Sequence, residues 1–96
     1  MTTIRKLIRA DGTETALYGP HAISDIEQLI GAEALDVVRL ADRVHVMLLD
    51  DLGQPKGLPV NAEASRLYHE VCRPGTTHQI RGDVVIVPDS DYAREA

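Results

Sequence analysis

The segment Lys56-Gly57-Leu58-Pro59-Val60-Asn61 combines side chains that can bind with a backbone that can help them. Gly57 and Pro59 are conformationally special, and the segment runs into an expected helix start. Free amides and the helix dipole favour an anion at such a place. Lys56 and Asn61 stand beside those amides, and Arg66 follows on the helix. His69, three residues after Arg66, shares its wet face. Lys56, Asn61, Arg66 and His69 are therefore the candidate ligand-binding residues, and a nucleotide phosphate or another anion is the ligand they suit. The plainer reading makes Asn61 a helix cap, the Gly-Leu-Pro step a corner, and Arg66 and His69 a solvated face.

Other reactive side chains give less. His21, His45, His69 and His78 show neither the i, i+4 pair of a helical zinc site nor an H-x-H step, so no metal is expected. Cys72 falls on an apolar helix stripe, which suits a packed thiol better than a nucleophile. Ser24 is explained by a capping role, and Ser65 has no base placed by sequence. Asp42, Asp50 and Asp51 have the residue type of a cation site or acid–base pair, but they sit in turns, where Asp is favoured for local reasons. The chain has no G-x-S-x-G, P-loop or G-x-G-x-x-G motif. No catalytic residue and no cofactor is assigned.

Composition narrows the class. A chain of 96 residues is one small domain, here residues 1–96, and 44% apolar content is globular. The net charge of −5 argues against a dominant phosphate-binding surface, although Arg5, Lys6 and Arg9 cluster near the start. With three Tyr and no Phe or Trp, there is no stacking platform for single strands. No apolar run spans a membrane, and the single cysteine fits a reducing cytoplasm. A core of Ile, Leu, Val and Ala leaves little to line a deep pocket, so action through the surface is expected, and a homodimer would add stability.

These residues must be positioned by short elements. Thr3–Arg9 and Thr13–Tyr18 read as strands joined by a turn at Asp11-Gly12. Ser24-Asp25-Ile26-Glu27 reads as a capping box opening a helix that buries Ile23, Ile26, Leu29 and Ile30 and stops at Gly31. Leu35–Leu40 and Val44–Leu49 form a second hairpin, and Gln54–Leu58 is a short edge strand at most, because Pro55 lacks a donor. Asn61 caps a second helix whose stripe is Ala64, Leu67, Tyr68, Val71 and Cys72. Val84–Val87 is a central strand buried on both sides, and Asp89–Ala96 frays. The order ββαββ(β)αβ predicts an α+β fold, with a mostly antiparallel sheet and both helices on one face.

Leu29-Ile30-Gly31, the hairpin Leu35–Leu40 with Val44–Asp50, Gly53, Gly57-Leu58-Pro59-Val60-Asn61-Ala62 and Gly82-Asp83-Val84-Val85-Ile86-Val87 carry a resemblance. They are similar to an uncharacterised domain family of bacterial phages, plasmids and mobile elements, the domain of unknown function numbered 3846. The likeness lies in the G-L-P-x-N and G-D-V motifs. This chain has Gly31-Ala32 where that family often has two glycines, and an insert-like Cys72–Gln79. The resemblance implies the element order and a mobile-element source, and it carries no activity. The resulting expectation is a non-enzymatic binding module that acts on a host protein or on its own copy, with no membrane and no nucleic-acid partner. Its alternative is a small-molecule binder for nucleotides or other anions at the second helix start.

Overall fold

The computed structural model describes residues 4–91. Its elements are β1 (Lys6–Ile8), β2 (Glu14–Ala16), α1 (Ile23–Ile30), β3 (Leu35–Arg39), β4 (His45–Asp50), α2 (Ala62–His69) and β5 (Val84–Pro88), followed by a 3-10 turn at Asp89–Asp91. The fold is α+β, as the sequence predicts. All five strands join one antiparallel sheet in the order β2-β1-β5-β4-β3. The last strand in sequence is thus the middle one in space.

The two hairpin turns share features. Ala10-Asp11-Gly12 is a three-residue loop between the paired Arg9 and Thr13, and residues 41–44 form a four-residue loop between the paired Leu40 and His45. In each the third residue has a positive φ, 95° at Gly12 and 62° at Arg43. In each loop the second residue is an aspartate that accepts from the amide two residues on, Asp11 from Thr13 at 2.9 Å and Asp42 from Val44 at 2.8 Å. Asp11 is held below the usual carboxylate range by Thr13, first through its hydroxyl and then through its amide.

The helices lie on opposite faces of the sheet, which corrects the expectation of a shared face. Alternation along the strands sends Leu7, Val46, Leu48, Val85 and Val87 to one side, where Ile26 and Ile30 of α1 cover them. Ile8, Met47, Val84 and Ile86 point to the other side, under Ala64, Leu67 and Tyr68 of α2. A strand covered on both faces can be apolar throughout, and every residue of β5 is buried.

Several predicted boundaries shift. The capping box does not form: α1 begins at Ile23 with Ala22 as its cap residue, and no side chain caps it. The Ala22 carbonyl accepts from Asp25 and Ile26, so Ser24 lies inside the first turn. Ile26 and Ile30 are buried, whereas Ile23 and Leu29 are exposed. The edge strand at Gln54–Leu58 is absent; local bonds such as Lys56 N–H to Leu52 O and Leu58 N–H to Gly53 O wind this segment into turns. Pro55 and the positive φ of Gly57 suit turns rather than a ladder. α2 ends at His69, so Val71 and Cys72 fall beyond it, and Val71 is exposed. Asp89 and Asp91 are pinned rather than frayed: Asp91 takes a bidentate pair from Arg5, and Asp89 pairs with Arg39. The rest of that predicted tail, like Thr3 of the first strand, lies outside the described residues. None of the described helices is long and apolar enough to cross a membrane.

Candidate functional site

Asn61 is a structural hub. It is fully buried, its Oδ1 accepts from the Ala64 amide at 3.0 Å, and its Nδ2 donates to Ile8 O at 3.1 Å and Gly82 O at 3.0 Å. Its own amide donates to Ile80 O. Ser65, also buried, donates from Oγ to Asn61 O at 2.8 Å and accepts from the Ile80 amide at 2.8 Å. Asn61 and Ser65 thus tie the start of α2 to β1 and to the segment that enters β5. An amide side chain has two donor hydrogens, and both of those on Asn61 are engaged inside the protein.

The other three predicted ligand residues are also in protein contacts. Lys56 Nζ donates to Asp50 Oδ2 at 2.8 Å and to Gly31 O at 3.3 Å. Arg66 bridges Glu63 and Glu70 along the exposed side of α2, holding the Glu63 carboxyl below its ordinary range, while its own guanidinium is pushed up chiefly by Glu63. His69 Nε2 meets His78 O at 2.6 Å. Arg66 and His69 share α2, as their spacing implies, but the structure gives neither a contact with Lys56. The basic cluster at the start of the chain is likewise occupied: Arg5 binds Asp91, Lys6 binds Glu14, and Arg9 donates to Thr15 Oγ1. Asp42 and the pair Asp50-Asp51 flank opposite ends of β4 and do not meet. Among the described residues, no three His, Cys, Asp or Glu side chains gather where they could hold a metal ion.

A cleft that the sequence reading does not anticipate lies beyond the end of β4. Its volume is about 220 Å³. Asp36 and Leu49 supply one wall, the turn Asp50–Pro55 a second, and His78–Arg81 a third. Asp36, Asp50, Asp51 and Arg81 are among the lining residues, and Arg81 donates to Leu58 O at 3.0 Å. Asp50 is buried and tied to the Leu52 amide and Lys56. The cleft depends on a close backbone approach: a Cβ on Gly53 would stand 3.0 Å from Arg81 O and 3.4 Å from Asp50 O. Next to it, the Tyr68 ring packs edge-on against His78 at 5.7 Å, and the Tyr68 hydroxyl is pushed up, first by its hydrogen bond to Cys72.

Two apolar side chains attach to this polar wall. Leu52, between the lining residues Asp51 and Gly53, is exposed, as is Val60, which bridges to Arg81. At the neighbouring edge, β3 is blunted. The bonds Leu40 N–H to His45 O and Asp51 N–H to Ala34 O turn the even-numbered residues of this strand toward β4. Val37 therefore faces outward, and its amide donates to Asp36 Oδ1 at 2.9 Å. A side chain that occupies an edge donor protects against strand addition.

Compared with protein-family models, curated proteins and solved structures, the chain matches none of them.

Proposed function

We propose that this chain is a non-enzymatic binding module of phage or mobile-element origin. It acts in the cytoplasm of a bacterial host, on a host protein rather than on a second copy. The observation that carries this reading is the cleft lined by Asp36 and Asp51, with exposed Leu52 and Val60 beside it. Apolar contact area next to a carboxylate-lined recess suits a partner that presents a basic side chain flanked by apolar ones. The mobile-element source rests on the G-L-P-x-N and G-D-V segments. The occupied Val37 amide disfavours strand pairing with a second copy at the β3 edge.

The test is capture from bacterial lysate, with the wild-type chain and the Asp51→Lys, Gln54→Lys variant as baits. The reading expects a specific partner on the wild type and at least a ten-fold loss on the variant. No specific partner, or equal capture by both baits, counts against it. The anion reading at the start of α2 has less support, because Asn61 and Arg66 are engaged within the fold. A thermal shift with nucleotide at high concentration would restore it.

A further inference from the structure

His45 opens β4 and is 5% exposed. Its Nε2 stands 2.9 Å from the backbone nitrogen of Ile4, and its Nδ1 stands 2.6 Å from Asp42 Oδ2. The Ile4 nitrogen is an amide and can only donate, so Nε2 must accept. The ring is then neutral, with its proton on Nδ1 directed at Asp42, an assignment that follows from the partners. Asp42 is well prepared for its part. Its Oδ1 accepts from the amides of His45 at 2.9 Å and Val44 at 2.8 Å. Those two bonds, with the ring, hold its carboxyl down to about 2.

We propose that His45 is a proton-operated latch that fastens the Ile4 amide, just ahead of β1, to the start of β4 and releases it when the imidazole gains a second proton. An imidazolium has two donors and no acceptor, so the Ile4 amide and Nε2–H would oppose each other, donor against donor. The Nδ1–H bond to Asp42 becomes a charged pair and persists, so the contact that breaks is the one to Ile4. Among the described residues, few charges surround the ring. Asp42 is the only ionisable group in hydrogen-bond contact with it among the described residues. Pro88 lies opposite on β5 and carries no charge. Arg5, next to Ile4, is bound to Asp91, and Asp89 is bound to Arg39. The sign is fixed by proton counting: the fastened state holds one proton fewer, so fastening strengthens as pH rises and is lost as pH falls.

The experiment is NMR on the whole chain between pH 8 and pH 5. The His45 ring nitrogens report the tautomer, and the Ile4 amide reports fastening through its protection factor. The expected result is an Nδ1–H tautomer at pH 8 and at least a ten-fold fall in Ile4 protection as His45 titrates. The Asp42→Asn variant keeps an acceptor but removes the charge that favours imidazolium, so opening of the Ile4 contact is shifted toward acid. In His45→Gln the fall in protection with pH is absent. An Nε2–H tautomer at pH 8, or Ile4 protection that stays constant while His45 titrates, overturns the proposal. Both of those readouts come from the wild-type chain, so the test survives a variant that fails to fold.

Discussion

α1 and α2 have the same length, eight residues each, and cover opposite faces of one sheet, yet they are fastened by different physics. α1 is held by oil: Ile26 and Ile30 are buried on Leu7, Val46, Leu48, Val85 and Val87, and no side chain caps its start. α2 buries only Ala64 and Ser65, with Leu67 and Tyr68 partly covered, and hydrogen bonds from Asn61 and Ser65 pin it. Apolar contact is non-directional and tolerates small shifts. A buried polar network fixes position as well as distance, and it is costly when any member is missing. The α2 side is accordingly the side with a defined geometry, and it adjoins the cleft through His78–Arg81.

The contrast yields four graded outcomes in urea denaturation. Asn61→Ala removes the α2 cap and strands the Ile8 and Gly82 carbonyls, a loss of about 4 kcal/mol when a cap and two buried acceptors are counted. Ile26→Ala opens a hole under α1 and costs about 3 kcal/mol. If Ile26→Ala proves the more damaging, the ranking of network over oil is wrong. Ser65→Ala leaves the buried Ile80 amide without its acceptor, at about 2 kcal/mol. Ser24→Ala, at the serine of the unformed capping box, changes stability by less than about 0.5 kcal/mol; a cost near 1 kcal/mol would mean that the hydroxyl caps α1 in solution after all.

Strand positions were legible because each rests on local pattern. Alternation and turn residues gave both hairpins, and the run Val84–Val87 announced burial on two sides. That run also carried the information needed to place the helices, since two covered faces require a cover on each. The length of segment 54–58 allows a strand, whereas Pro55 and Gly57 close it into turns. Asn61 was legible as a cap but not as a hub, because its Nδ2 partners lie 53 and 21 residues away in sequence. The cleft was invisible for the same reason: Asp36, Asp50 and Arg81 meet only through strand pairing and the approach at Gly53.

The position of β5 has a bearing on how the chain is made. Its partners β1 and β4 emerge from the ribosome well before it, and neither hairpin can join the other until Val84–Pro88 arrives. Leu7 must then find Val85 across nearly the whole described chain. Such long-range closure slows folding relative to helical domains. Until that moment two separate hairpins carry open apolar edges, and the nascent chain is exposed to wrong partners in the interval before β5 emerges.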